Sequence, residues 1–192
     1  MLKIRLLPHE WRCLTAGNDD DVLQLLRFLK KEFFALEYVD ETNAIPTIQE
    51  AMRLRKEQKA NEYTQRKWGL SFADFRKAKD DFPEEEYRSD IAAIGQITIE
   101  VDCILAGFVK NGLPLIVQAH GHHGVHIRDD FAVAGEGSYL AQYGLLHRDH
   151  YDVYPLNTTV YCVYEAKKYA ERVSSVGKST YFVILRAGPE VS

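Results

Sequence analysis

From Gly95 onward the chain changes texture. Ile97, Ile99, Val101 and Cys103 alternate with Thr98, Glu100, Asp102 and Ile104, the two-residue period of a strand with one buried face. The run continues through Leu105-Ala106-Gly107-Phe108-Val109 to Asn111-Gly112, a dipeptide suited to a tight hairpin turn because both residues tolerate positive φ. Residues 113–119 then return as a second apolar strand. An antiparallel pair therefore stands in the middle of the sequence. A lone pair is marginal in water, so the flanking segments must add strands to it or cover it with helices.

Those segments divide cleanly. Two short apolar runs, 2–7 and 11–16, are separated by Pro8-His9-Glu10 and read as adjoining strands. Asp19-Asp20-Asp21 offers an N-cap and negative charge at the positive end of a helix. Val22, Leu25, Leu26, Leu29, Phe33 and Leu36 then trace one helical face. Pro46 suits the first turn of a second helix running to about Trp68. Residues 53–67 carry six bases (Arg53, Arg55, Lys56, Lys59, Arg66, Lys67), the pattern of a solvated helix face, and residues 80–90 carry six acids, the pattern of an acidic loop. A short helix over 70–75 would pin this charged excursion, about 46–95, to the body, and the excursion offers a surface to a partner. Beyond the hairpin, strands are expected at 125–128 and 131–134, helices over 138–147 and from Pro155 to about Val173, and a last strand at 180–185. Strands, two helices, strands, two helices and a strand is an α+β order rather than an alternating βαβ one.

Composition narrows the classes. With 192 residues the chain has room for one well-buried domain, 1–192. Lys and Arg number 24 against 28 Asp and Glu, a net charge of −4 that gives no phosphate-tracking surface, so no nucleic-acid partner is expected. No apolar run reaches the roughly 18–20 residues of a membrane span, so no membrane association is expected either. Cys13, Cys103 and Cys162 lie far apart in apolar settings and read as reduced core thiols, which together with the absence of a signal sequence suggests a cytoplasmic protein. Tyr151, Tyr154, Tyr161, Tyr164 and Tyr169 read as packing residues. No phosphate-cradling glycine loop, G-x-S-x-G elbow or paired CxxC is present, and no cofactor is expected.

From Cys103 onward the chain resembles the proteasome-type peptidase subunits, which are N-terminal-nucleophile hydrolases. Ile104-Leu105-Ala106-Gly107-Phe108 is similar to a family strand ending in Ala-Gly-aromatic. Phe131-Ala132-Val133-Ala134-Gly135-Glu136-Gly137-Ser138 resembles the family's apolar strand and Gly-rich turn into a helix, and residues 161–177 its penultimate helix and following turn. Upstream, Cys13-Leu14-Thr15-Ala16-Gly17-Asn18 with Asp21 and the amphipathic helix resembles the earlier strand and first helix. The resemblance implies a four-layer αββα sandwich. It also implies threonine-type peptide hydrolysis in a ring of like subunits, acting on peptides or unfolded proteins and fed by an ATPase.

The same resemblance identifies what this sequence does not contain. The family nucleophile is a threonine freed by cleavage of a Gly-Thr bond, its own amine serving as base, with a lysine lowering its pKa. Of 12 glycines none is followed by Thr or Cys, and only Gly137 is followed by Ser, in the C-terminal half. The chain matches the family from beyond the catalytic lysine and is expected to be N-terminally incomplete and inactive as it stands. Three auxiliary positions carry over: Ser138 of the Gly-rich turn, and Glu171 and Ser174 after the penultimate helix. A one-residue shift would place Arg172 and Ser175 there instead. Ser138 is also a good N-cap by its chemistry, with Gly135 and Gly137 permitting positive φ.

Two other readings stand beside this one: a non-catalytic assembly or partner-binding protein on the same fold, and a small histidine-site metal protein. The latter rests on His120, His122, His123 and His126, of which His120 and His122 would share a strand face and point at one ion. No recognised zinc spacing is matched there, and an exposed hairpin explains the cluster equally well. Strands missing from a sheet would leave apolar surface and open edges, so the chain is expected to self-associate or to pair with a chain supplying them.

Overall fold

The computed structural model describes residues 4–122, 124–149 and 153–186. One five-stranded antiparallel sheet runs β1 (Ile4–Leu6), β2 (Arg12–Gly17), β3 (Val101–Phe108), β4 (Pro114–His120) and β5 (Gly124–Arg128), neighbours in space following their order in sequence. The hairpin turn runs over residues 110–112, with Gly112 but not Asn111 at positive φ and the Gly112 N–H donating to the Val109 carbonyl, and in the central pair that it joins Leu105 faces Val117 and Cys103 faces Ala119.

One face of the sheet is sealed. Cys13, Val101, Cys103, Leu105, Val117 and Ala119 are buried against α1 (Asp19–Phe34) and α2 (Glu41–Trp68). The predicted stripe of α1 is the buried one: Val22, Leu25, Leu26, Leu29 and Phe33 all point inward, with Leu36 packed at the margin. Gly107, of the Ala-Gly-aromatic strand, has a physical reason to be glycine. Any Cβ there would lie 2.5 Å from the buried Trp11 indole, which packs edge-on against Phe33 with centroids 5.6 Å apart. All three cysteines are free thiols and buried.

The charged excursion is more ordered than its composition implied. α2 begins at Glu41, ahead of Pro46, because Asp40 and Asn43 cap each other's backbone N–H groups; Pro46 therefore stands inside the helix rather than in its first turn, and its missing N–H leaves out one helical hydrogen bond. The expected acidic loop is α4 (Glu84–Gly95), preceded by α3 (Phe72–Lys77) and one 3₁₀ turn. Pro83 opens α4, and Glu84, Glu85 and Glu86 sit in its first turn, where the helix dipole favours them. Its other face joins a second apolar core, in which Ala60, Phe75 and Ile94 are buried among Tyr63, Trp68, Phe82, Tyr87 and Ile91.

Across the sheet's other face runs the segment 131–137, leading to α5 (Ser138–His147) and α6 (Leu156–Ala170). Leu145, Cys162 and Ala166 of this helix pair pack on Phe131 and Val133. Helices thus lie on both sides of the sheet. Two expected strands do not form. Residues 131–134 are irregular because the Val133 carbonyl accepts from the Gln118 side chain rather than from a strand. Residues 180–185 have no ladder partner among the described residues, and Phe182 instead leans on Tyr164 of α6, centroids 6.4 Å apart. Of the tyrosines read as packing residues, Tyr169 meets Tyr143 edge-on, whereas Tyr161 and Tyr164 project outward; Tyr151 lies outside the described residues. Among the described residues no helix is long and apolar enough to cross a membrane.

Candidate functional site

The Gly-rich turn and the turn after α6 meet over the open face of the sheet. Gly135 has φ 89° and bends the chain, as its lack of Cβ allows, and a Cβ there would lie 3.0 Å from that of Ala16 on β2. Gly137 has an ordinary negative φ; glycine is needed there for close approach, since a Cβ would come within 2.9 Å of both Ala170 and Val176. Beside it the Ser175 hydroxyl donates to the Glu136 carboxylate. Residues 135–138 and 170–176, far apart in sequence, are therefore packed backbone to side chain.

The three auxiliary positions fare differently. Ser138 is the first residue of α5, and Gly137 is the N-cap, with no side-chain cap bond; the Ser138 N–H reaches back to the Gly135 carbonyl at 3.0 Å. Glu171 ends α6 with its carboxylate taken by Lys167 (3.0 Å) and Lys168 (2.8 Å). The Lys168 hydrogen bond first, then Lys167, hold that carboxyl below the usual glutamate range. Ser174 is exposed in the turn. Contact between the two segments runs through Glu136, Gly137, Ala170, Ser175 and Val176, so Ser175 of the shifted register is the serine facing the Gly-rich turn.

The histidines are divided by the end of a strand. β4 stops at His120, whose Nδ1 lies 2.9 Å from the Asp102 carboxylate on the open face. Alternation ends there. His122, in the following turn, lines a cleft beside α2 on the other side, so the two rings do not share a face. His126 lies opposite Gln118 on β5, and His123 lies outside the described residues. Among the described residues no three His, Cys, Asp or Glu side chains gather as a metal site.

Sequence reasoning missed the buried charges. Arg55, counted above among solvated bases, is 2% exposed and reaches Asp21 by Nε (2.9 Å) and Nη2 (2.7 Å), with Asp20 and Glu62 at its edges. Asp21, read as dipole charge, also accepts from Lys59 and from the Glu100 N–H, both at 2.9 Å. Burial pushes its carboxyl up, but the Glu100 N–H, Lys59 and Arg55 outweigh that and hold it below the usual aspartate range. Asp90 repeats the pattern in the second core: burial raises it, while Lys67, Tyr63 and Trp68 bring it below normal. The sequence signal was spacing, since Arg55 lies on the same helical face as Ile48 and Ala51.

No protein-family model and no curated protein match the sequence. Solved structures do match the fold. A mutant of Anbu from Hyphomicrobium sp. strain MC1 superposes with a TM-score of 0.57 at 15% identity, over 92% of this chain and 66% of that one. Anbu from Yersinia bercovieri, described as an ancestral β-subunit, gives 0.51 at 16%, over 92% and 65%. The helically assembled Anbu of Pseudomonas aeruginosa gives 0.53 at 14%, over 87% and 60%. The fold is that of the proteasome-type N-terminal-nucleophile hydrolases. At these identities the likeness is one of fold, and the chain spans 60 to 66% of the length of these neighbours. The described residues form one five-stranded sheet with helices on both of its sides, whereas a four-layer αββα sandwich has two sheets.

Proposed function

We propose that these 192 residues form a proteasome-type peptidase subunit that carries no nucleophile of its own. The observation that supports this most is the seating of the Gly135–Gly137 turn, whose serine in the resemblance lies near a threonine's amine, against Ala170 and Val176 beside the turn after α6. No Gly-Thr pair occurs to generate that threonine. Assembly with like subunits follows from the same reading and is supported by the helical assembly of the P. aeruginosa Anbu. An ATPase that feeds the assembly and a cytoplasmic setting belong to it as well, with peptides or unfolded polypeptides as substrate only where a subunit bearing the nucleophile makes the assembly active.

The test is covalent. The purified chain is incubated with a threonine-directed epoxyketone and weighed intact, with a fluorogenic peptide assayed in parallel. No adduct and no hydrolysis are expected. An adduct mapped to a threonine, and lost when that residue becomes alanine, would overturn the proposal.

A further inference from the structure

The end of α4 and the linker 96–100 that follows it run alongside α2, and the Lys59 ammonium crosses from α2 to the Thr98 carbonyl at 2.9 Å. Two adjoining clefts of about 410 and 640 Å³ open between α2 and this stretch, with Arg53 and Lys56 on the wall they share. Both volumes lie within the usual range of small-molecule sites, roughly 300–1,000 Å³. Met52, Ile97 and Ile99 line the smaller cleft, and Ala60, Phe72 and Ile94 the larger. Met52 and Ile99 belong to the first apolar core and the other four to the second. The groove therefore follows the seam between the two cores.

Its charge is of one sign. The ionisable residues lining the larger cleft are Arg53, Lys56 and Arg76 against Glu57 alone, and His122 borders the smaller. Arg53 is taken by Glu50 at 2.7 Å and by Glu57 at 2.8 Å. Among the described residues Lys56 and Arg76 have no ion-pair partner, and Arg76 lies 5.8 Å from the centre of the Phe72 ring. The acids close to Arg76 in sequence are engaged elsewhere or do not reach it. Asp74 accepts from the Ser71 hydroxyl at 2.7 Å and faces Lys77 at 3.7 Å, and Asp80 and Asp81 make no ion pair among the described residues. Two cations thus stand uncompensated beside an apolar seam.

We propose that the groove binds an aliphatic carboxylate, its head group met by Lys56 and Arg76 and its alkyl chain lying on the seam. The lining selects that chemistry. The apolar residues gain from covering by hydrocarbon, and the cations gain from one anion. A neutral head would leave both cations to lose hydration without a partner, and a cationic head would be repelled. A ligand so placed touches both cores at once and fastens the excursion to the sheet. The site goes beyond the peptidase reading and does not depend on it.

The open face of the sheet is also apolar and would take up amphiphiles, but without regard to the sign of the head group. That difference makes the test. The whole chain is titrated calorimetrically with decanoate, below its micelle threshold and at about 0.05 M salt, where exposed charges are weakly screened. Acetate supplies the head without the chain, and decyltrimethylammonium supplies the chain with the opposite head. One decanoate is expected to bind per chain and to raise the melting temperature. Both comparison compounds should bind at least about tenfold more weakly, the effect of losing one charge-assisted contact or the apolar cover. Lys56 and Arg76 are exposed, so Lys56→Glu/Arg76→Glu should fold and lose decanoate binding by at least about tenfold, while Lys56→Arg/Arg76→Lys retains it. No decanoate binding overturns the proposal. So does equal binding of decyltrimethylammonium, or undiminished binding in the charge-reversed variant, either of which would put the amphiphile on the open face. Acetate binding as tightly as decanoate would also overturn it, since the seam would then contribute nothing. The three compounds on the wild-type chain decide the matter even if a variant fails to fold.

Discussion

The two faces of the five-stranded sheet use similar residues to different ends. Toward α1 and α2, Cys103, Leu105 and Val117 are excluded from water, and the Asp21–Arg55 pair locks the helices down. On the opposite face Leu6 and Leu14 are exposed, and Ile104, Ala106 and Ile116 are only half covered by the segment 131–137 and its helices. Neighbouring residues of one strand thus belong to a finished core and to an unfinished surface. The difference is one of partners rather than of hydrophobicity: β3 alternates between the two faces with apolar residues on both.

The comparison is broken most severely at the lock. Arg55→Ala leaves Asp21 charged and buried with Lys59 as its remaining cation, and should cost about 3–5 kcal/mol in denaturant unfolding. A loss below about 1 kcal/mol would mean that water reaches Asp21 and the face is not sealed. Next come adjacent truncations on β3. Leu105→Ala, at a site with no exposure, should cost about 2–5 kcal/mol, and Ile104→Ala, facing the other way, distinctly less. Equal losses would show that something covers the open face in solution.

The smallest effect is pH-dependent. Asp21 and Asp90 both have folded-state pKa values below the ordinary aspartate value of about 3.9. Their pairing therefore contributes stability at and above that pH, and the contribution is lost as pH falls through the folded values. Acid titration of unfolding should show a decline beginning near pH 4 that is shallower in Asp21→Asn. A variant with an unchanged acid limb would place the carboxyl in solvent.

The sealed face was legible because every partner it needs is in the chain. The spacing of Val22 to Phe33, the alternation of Val101, Cys103 and Leu105, and the Asn111-Gly112 turn point to one arrangement. The expected strand at 180–185 failed for the converse reason. Its β-branched and aromatic residues state a preference that only neighbouring strands can satisfy, and among the described residues none lies beside it. Composition misled in the excursion, where Arg55 and Asp90 were counted with solvated charges although each is a buried member of a network. At the candidate site the resemblance singled out the Gly-rich turn and the turn after α6 separately, and their meeting emerges only in the fold. That Ser175 rather than Ser174 faces it depends on helix phase at the end of α6, which spacing alone does not settle.

The two apolar cores give the chain a pair of built-in spectroscopic reporters. Its two tryptophans are divided between the cores: Trp11 is fully enclosed against Gly107 and Phe33, and Trp68 lies among Phe75 and Phe82 with its indole N–H donating to Asp90. Emission from Trp11 tracks the sheet and its helices. Emission from Trp68 should track the excursion and is expected to shift when Asp90 takes up a proton, because the indole N–H donates to that carboxylate. Single-tryptophan variants would resolve whether the excursion melts with the sheet or ahead of it, and so whether the groove lies within one cooperative unit or between two.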